Sequence, residues 1–127
     1  MLNDVVKTLA RGKNFAALTT LFADGRPQTQ VMWVDADDNY VLINTEVHRA
    51  KFKNTELDPR VTVTIMDASN PYHYAEVRGH VVEVIRGAEA LAHIHSLSKK
   101  YTGGEYANSI QSERVLLKIA PEQVHVQ

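Results

Sequence analysis

The chain of 127 residues is the size of one compact domain, and its net charge of −1 provides no general positive field for binding nucleic acid. It contains no cysteine, which excludes disulfides, thiolate nucleophiles and cysteine metal sites. The N-terminal residues include neither a basic segment nor a long apolar one. We therefore expect a single domain over residues 1–127 in a cytoplasmic protein that spans no membrane.

The first part of the chain is predicted to form a helix and three strands. Apolar residues at helical spacing indicate a helix that ends near Gly12. The Asp24-Gly25 dipeptide predicts a hairpin between strands at residues 15–22 and 28–34. The second of these strands alternates, which places Gln28, Gln30 and Met32 on one face and Thr29, Val31 and Trp33 on the other. A polar turn at residues 35–39 precedes a third strand at residues 40–45.

The rest of the chain is predicted to contain two helices and three strands. A helix over residues 47–57 ends at Asp58-Pro59, and strands follow at residues 60–66 and 72–85. Alternation shifts by one residue near Val81, which is typical of a β-bulge at a barrel corner. Gly103 closes a helix that begins near Ala90, and the last strand covers residues 115–119. About six strands joined largely by hairpins predict a mainly β fold, an antiparallel barrel with capping helices.

A basic cluster lies where the third strand leads into the helix over residues 47–57. Arg49, Lys51 and Lys53 occupy its first turns, although each exposed cation at a helix N-terminus costs about 0.3–1 kcal/mol. A bound anion such as phosphate would compensate, because cations and free N–H groups converge there. Alternatively, the cluster is a solvated face that Glu46 or Glu56 neutralises. The residues alone leave both interpretations open.

The strand over residues 28–34 is a second candidate site. Its amide side chains, Met32 and the indole of Trp33 have the polarity and shape to frame a planar heterocycle. The alternative is ordinary packing, with Val31 and Trp33 in the core and Gln28 and Gln30 in solvent.

The histidines do not predict a metal site. His93 and His95 are two residues apart on a helix and point to different faces, and His73 and His80 diverge along a strand. No carboxylate completes a set of ligands. Neither a Gly-x-Ser-x-Gly elbow nor a phosphate-binding glycine loop occurs, so no catalytic residue is assigned.

Several short segments, taken in order along nearly the whole chain, resemble the pyridoxamine-phosphate-oxidase-like split-barrel family. Within that family the likeness is to branch B of the flavin/deazaflavin oxidoreductases. The segments are Ala17-Leu18-Thr19-Thr20, Asp24-Gly25-Arg26-Pro27-Gln28, Met32-Trp33-Val34, Arg49-Ala50-Lys51 with Asn54, Asp58-Pro59-Arg60-Val61, Tyr74-Ala75-Glu76-Val77-Arg78-Gly79 and Arg114-Val115-Leu116-Leu117.

The resemblance implies an FMN-binding-like split β-barrel that forms a homodimer with two equivalent cofactor sites between its subunits. Arg49, Lys51 and Asn54 would hold the cofactor phosphate, and the strand from residue 30 to 33 would line the ring. Tyr74 would close the site from the partner subunit. The full implied set of cofactor-binding residues is Gln30, Val31, Met32, Trp33, Thr45, Glu46, Arg49, Lys51, Asn54 and Tyr74.

The same resemblance implies a coenzyme F-420-dependent oxidoreductase that transfers hydride to an electron-poor, unsaturated small molecule. Gln28 and Gln30 stand where the vitamin-making oxidases carry a basic residue, so pyridoxamine-phosphate oxidation is not expected. Two alternatives remain: an FMN-binding oxidase or electron-transfer protein, and a non-catalytic protein that binds a cofactor or tetrapyrrole. We expect no metal, nucleic-acid or membrane partner.

Overall fold

Seven strands and three helices alternate along the computed structural model, which describes residues 1–127. In chain order they are α1 (Asp4–Arg11), β1 (Phe15–Leu21), β2 (Pro27–Met32), β3 (Asp35–Ala36), β4 (Val41–Glu46), α2 (Ala50–Leu57), β5 (Arg60–Asp67), β6 (Asn70–Arg86), α3 (Ala88–Thr102) and β7 (Arg114–Val126). All strands belong to one antiparallel sheet in the order β2-β1-β5-β6-β7-β4-β3, which curls into a half-barrel. The predicted mainly β fold with capping helices is therefore confirmed.

The strand count and two element boundaries differ clearly from the prediction. The supposed polar turn contains the short strand β3, because Asp35 and Ala36 pair with Leu42 and Val41 of β4. Helix α2 begins at Ala50, since residues 47–49 form a turn before it. Strand β7 continues to Val126 along its partner β6. The extension of β7 arises from pairing with β6, a segment distant in sequence, which local alternation does not reveal.

Strand β6 bends where the sequence predicted a bulge. Its register with β7 shifts between Arg78 and Gly79 and again between Val81 and Glu83. A Cβ atom at Gly79 would lie 2.0 Å from the carbonyl oxygen of Ala120, so only glycine permits this close approach. Strand β6 pairs with β5 on one edge and with β7 on the other, and the register shifts lie on the β7 edge.

The helices close the ends of the half-barrel. Asn3 caps α1 by accepting hydrogen bonds from the backbone N–H groups of Val5 and Val6, and the helix buries Val6 and Leu9 in the main core. Helix α3 ends at Gly103, whose positive φ of 84° is the usual left-handed cap. None of the three helices is long and apolar enough to cross a membrane.

A smaller cluster joins α3 to the end of β2 and the residues just after it. Ile94, Leu97 and Tyr101 of α3 pack with Trp33 and Tyr106. The rings of Trp33 and Tyr101 stack with centroids 5.0 Å apart. The Tyr101 hydroxyl also donates to the backbone carbonyl of Asn14, so α3 is fastened to the sheet by both apolar and polar contacts.

Candidate functional site

A cleft of about 380 Å³ opens between the end of β2, strand β4, the start of α2 and helix α3. Its lining combines apolar and aromatic side chains with amides and cations. The apolar and aromatic residues, which we call the aromatic wall, are Val31, Met32, Trp33, Ile94, Leu97 and Tyr106. The polar lining residues are Asn44, Thr45, Arg49, Lys51, Asn108 and Arg114. Such a mixed lining suits a ligand that has both a planar apolar part and an anionic part.

The cations at the start of α2 have no acidic partner. Arg49 is the N-cap residue, its side chain makes no capping hydrogen bond, and the first turn contains no acid. Neither it nor Lys51 takes part in any salt bridge of the chain. Glu56 instead pairs with Arg86, and Glu46 accepts backbone hydrogen bonds. Neutralisation by these two glutamates, the alternative considered for the cluster, is therefore wrong.

Lys51 is buried despite its charge. Its relative exposure is only 9%. Burial is the main cause that lowers the pKa of Lys51 to about 8, and the charges of Arg49 and Arg114 lower it further. The charges of two guanidinium groups thus oppose that of the ammonium, so an anion bound among the three cations would be favoured electrostatically.

Arg114 is the third cation of this corner, and sequence reasoning did not select it as a site residue. Its side chain is 9% exposed. One terminal nitrogen donates to Asn44 Oδ1 at 3.3 Å, and the other donates to the Tyr106 hydroxyl at 2.7 Å. Its Nε atom is buried and has no hydrogen-bond partner. We call Arg49, Lys51 and Arg114 the cationic corner.

The unpartnered Nε atom of Arg114 indicates that the cationic corner fits an anionic group. A buried guanidinium N–H without an acceptor is costly, so this donor is suited to a ligand oxygen. Glu46 lies 3.7 Å from Arg114, but it offsets one positive charge among three. The cationic corner therefore has the donor set and the excess charge that a phosphate group requires.

Residues 103–113, which we call the strap, form the wall of the cleft beyond α3. Glu46 Oε1 accepts hydrogen bonds from the backbone N–H groups of Gln111 and Ser112 at 2.7 and 2.8 Å. Tyr106 donates its backbone N–H to His95 Nδ1, and its ring meets Trp33 edge-on. These contacts connect the strap to β4, to α3 and to the aromatic wall, and the Tyr106 hydroxyl connects it to Arg114 of the cationic corner.

The structure brings six of the ten predicted cofactor-binding residues into the cleft wall. They are Val31, Met32, Trp33, Thr45, Arg49 and Lys51. Gln30 lies outside this wall, but its Oε1 atom is buried without a partner and can accept a hydrogen bond. Glu46 holds the strap. These positions are compatible with the predicted cofactor-binding roles, which stay predictions.

Asn54 and Tyr74 lie elsewhere in the subunit. Asn54 is buried and donates to Thr20 Oγ1 at 3.0 Å, so its amide fixes α2 against β1. Tyr74 contacts His125 near the far end of β6 and β7. Within one subunit neither side chain lines the cleft, so a contact of Tyr74 with the ligand requires a second copy of the chain.

The ordinary-packing interpretation of β2 is wrong for three residues. Val31 is 67% exposed and belongs to no core cluster. Gln28 and Gln30 are half-buried, and their Oε1 atoms are shielded from solvent. The predicted alternation itself is confirmed by the burial pattern of the strand.

Sequence reasoning missed Asn44, Ile94, Leu97, Tyr106 and Asn108 in addition to Arg114. Asn44 and Arg114 become neighbours only because β4 pairs with β7, in a register that sets Glu46 opposite Arg114. Local spacing carries no information about that pairing. One available signal was the position of Arg114, a lone cation at the start of an apolar strand.

The comparison with known families decides the family of the protein. The family described as pyridoxamine 5'-phosphate oxidase matches residues 2–127, which is almost the entire chain. The chain belongs to this family. The predicted relationship is thereby confirmed, and membership supports an oxidoreductase that binds a flavin or a related cofactor.

Solved structures of this family's fold include several similar to the chain. An F-420 reductase superposes with a TM-score of 0.83 at 25% identity, over 98% of each chain. A conserved hypothetical protein from Mycobacterium tuberculosis gives 0.75 at 20% identity, over 99% of this chain and 84% of the other. General stress protein 26 from Bacillus anthracis gives 0.73 at 19% identity, over 97% and 91%. The last two likenesses concern the fold alone.

Proposed function

We propose that this member of the family is a coenzyme F-420-dependent oxidoreductase that passes hydride to an electron-poor, unsaturated small molecule. The observation that carries the proposal is the cationic corner, with its orphaned Arg114 Nε atom, beside an aromatic wall. A deazaflavin combines a planar ring with a phosphate-bearing side chain, which matches that mixed lining. The likeness to an F-420 reductase over the full chain supports the choice of cofactor.

In this proposal the cationic corner holds the cofactor phosphate. Arg49, Lys51 and Arg114 would contact it together with the uncapped N–H groups at the start of α2. The cations are already close together before binding, so little rearrangement is needed. A bound anion would offset the repulsion among the three cations, and this favours binding.

The aromatic wall would hold the planar ring of the cofactor. Strand β2 pairs only with β1, so its other edge has backbone N–H and C=O groups free for a ligand. The Trp33 ring is stacked on Tyr101 and cannot easily rotate into the cleft. Ile94 and Leu97 keep water away from the same wall. The bound cofactor supplies the hydride, and the protein orients it and limits the access of solvent.

The anionic tail of coenzyme F-420 is assigned to a neighbouring recess. This recess, of about 260 Å³, adjoins the cleft through Arg49, Tyr106 and Asn108, and both Glu46 and His48 also line it. Glu46 is engaged by the backbone N–H groups of the strap. Lys53 is exposed one turn further along α2 and adds positive charge to the same side. Arg49 and Lys53 would attract a carboxylate-bearing chain, and His48 offers it a ring nitrogen.

The proposal includes a homodimer in which Tyr74 of the second copy closes the cleft. FMN is the second candidate cofactor, because three converging cations also suit a dianionic phosphate monoester. FMN binding would favour an oxidase or an electron-transfer protein.

The deciding experiment is a fluorescence titration of the apo-protein with coenzyme F-420 and, separately, with FMN. We expect the wild-type protein to bind F-420. In the double variant Arg49→Ala with Lys51→Ala, the affinity should fall about 10- to 100-fold for each charged contact that is lost. Lys99→Ala, which removes an exposed lysine at the end of α3, is the matched control and should bind normally. Unchanged affinity in the double variant would sink the phosphate assignment. Exclusive binding of FMN would replace the deazaflavin.

Turnover separates an enzyme from a cofactor carrier. Reduced F-420 mixed with the protein and a panel of enones and quinones should be oxidised in a protein-dependent manner. If the cofactor binds tightly but no acceptor in a broad panel is reduced, the non-catalytic alternative is favoured.

A further inference from the structure

A buried chain of polar side chains runs behind the cleft wall from α3 to Arg114. His93 Nε2 lies 3.1 Å from Asp35 Oδ2, and His93 Nδ1 lies 3.1 Å from Asn44 Nδ2. Asn44 Oδ1 lies 3.3 Å from the Arg114 guanidinium. The His93 side chain is 11% exposed and does not line the cleft. Asn44 and Arg114 do line it, so the chain ends at the cationic corner.

The donors of this chain can be ordered without ambiguity. Asn44 Nδ2 also donates to the backbone carbonyl of Ala90 at 2.9 Å, which fixes the amide so that Oδ1 faces Arg114. His93 Nδ1 must then accept a hydrogen bond from Asn44. The imidazole proton therefore lies on Nε2, which donates to Asp35. One neutral tautomer satisfies every link.

We propose that His93 is a positioning residue for the anion site: its neutral Nε2–H tautomer holds Asn44 so that Asn44 Oδ1 orients Arg114, and protonation of Nδ1 releases that hold. The inference rests on the proposed function only in assigning an anion to Arg114. It predicts that the affinity for anions falls when His93 becomes charged.

The physical reason is that an imidazolium has two donors and no acceptor. For Asn44 to accept from Nδ1–H, its amide would have to reverse. It would then lose the Ala90 carbonyl and place an NH₂ group against the Arg114 guanidinium. Arg114 would be left without the acceptor that holds one of its terminal nitrogens.

Charged groups surround His93 on several elements. The Asp35 carboxylate of β3 faces His93 Nε2, and the Arg114 guanidinium of β7 lies on the far side of Asn44. Lys100 of α3 also interacts with Asp35. Burial raises the pKa of Asp35, but the hydrogen bond from His93 and the other contacts outweigh it, and the pKa is lowered overall. Asp35 is therefore held in its carboxylate form.

The test uses inorganic sulfate, which stays a dianion from pH 5.5 to 7.5, as the probe. Its binding is followed by the ¹⁵N NMR signal of Arg114 Nε–H, assigned by its loss in Arg114→Lys. In the wild type we expect sulfate to shift this signal, with affinity falling about 3- to 10-fold from pH 7.5 to 5.5, the range for one lost hydrogen bond. Absence of any sulfate effect on Arg114 at either pH would overturn the inference.

Two variants separate positioning from packing. His93→Gln retains an acceptor and a donor but cannot titrate, so its affinity should stay high at both pH values. His93→Leu should bind weakly at both. His80→Leu is the matched control. His80 lies away from the cleft, where its Nδ1 atom is 2.7 Å from Glu122 Oε1, so this variant should show the wild-type profile. A wild-type profile in both His93 variants would refute the proposal.

The tautomer of His93 provides a measurement that needs no variant to fold. The ¹⁵N shifts of its imidazole in the wild type at pH 7.5 should show a protonated Nε2 and a bare Nδ1. A proton on Nδ1 at that pH would contradict the inference. If sulfate behaves as described but neither F-420 nor FMN binds, the positioning role stands and the proposed function fails.

Discussion

Lys51 shows how a binding site imposes a cost on the protein that carries it. The residue is only 9% exposed, and the charges that shift its pKa, those of Arg49 and Arg114, are positive. In the unfolded chain the pKa of this lysine is about 10.5, compared with about 8 in the fold. Because the folded value is lower, the unfolded chain binds more protons between these pH values, and the free energy of unfolding rises with pH across that window.

We predict that Lys51→Met stabilises the ligand-free protein at pH 7 by about 1–3 kcal/mol, since it removes a buried and unpaired charge. The advantage should shrink between pH 8 and 10.5, where the wild-type lysine becomes neutral. Urea unfolding at pH 7 and pH 10, in a buffer without multivalent anions, measures both effects. Lys99→Met, at an exposed position, is the control. A less stable Lys51→Met protein at pH 7 would contradict this account.

At the scale of elements, Glu46 links the end of β4 to the strap. Burial raises the pKa of Glu46, but hydrogen bonds from the Ser112 and Gln111 backbones and the charge of Arg114 lower it below its usual 4.5. The carboxylate therefore stabilises the fold at pH values above 4.5. This stabilisation is lost as the pH falls through the lower, folded-state pKa.

We predict that Glu46→Gln lowers the free energy of unfolding at pH 7 by about 1–3 kcal/mol and loosens the strap, because it weakens two charge-assisted hydrogen bonds. Amide hydrogen exchange at Gln111 and Ser112 should accelerate more than exchange in β5. The difference from wild type should narrow below pH 4.5. Glu56→Gln, which alters an exposed pair with Arg86, should show neither effect. Equal protection of the strap in Glu46→Gln and wild type would count against the assigned anchor.

The bend of β6 depends on the absence of a side chain at Gly79. We predict that Gly79→Ala destabilises the fold by about 1–3 kcal/mol, because its Cβ would overlap the Ala120 carbonyl and force β6 and β7 apart. Gly104→Ala is the matched control, since open space surrounds that position. Thermal unfolding of the two variants makes the comparison. Equal melting temperatures would show that the two strands tolerate the displacement.

At the scale of the whole molecule, the open half-barrel leaves apolar side chains in solvent. Val31 of β2, Tyr72 of β6 and Val126 of β7 are among the exposed large residues. A small chain with such surface gains stability from association. The predicted position of Tyr74 in the site also requires a second copy.

We therefore predict a homodimer at micromolar concentration. Light scattering coupled to size-exclusion chromatography should give twice the mass of one chain, with and without cofactor. A monomer under both conditions would remove Tyr74 from the proposed site, although the cationic corner, which lies within one subunit, would remain. The variant Arg26→Ala, on the exposed hairpin between β1 and β2, serves as a control for nonspecific association.

Much of the fold was predictable from short stretches of sequence, because hairpins, caps and alternation are local properties. Asp24-Gly25 indicated the first hairpin, and the phase shift near Val81 indicated the bulge in β6. Cations in the first turns of a helix, where they are unfavourable, marked Arg49 and Lys51 as unusual from the sequence. The fold class and part of the cleft wall follow from such signals.

The remaining features depended on register between distant strands. The pairing of β4 with β7 brings Arg114 to the cations of α2, although more than sixty residues separate them along the chain. Asn44 and His93 become partners only when α3 packs across the sheet. Local sequence determined which elements form and where the positive charge lies. Only the tertiary structure decided which buried donors meet in the cleft, because burial and hydrogen-bond partners are properties of the assembled sheet.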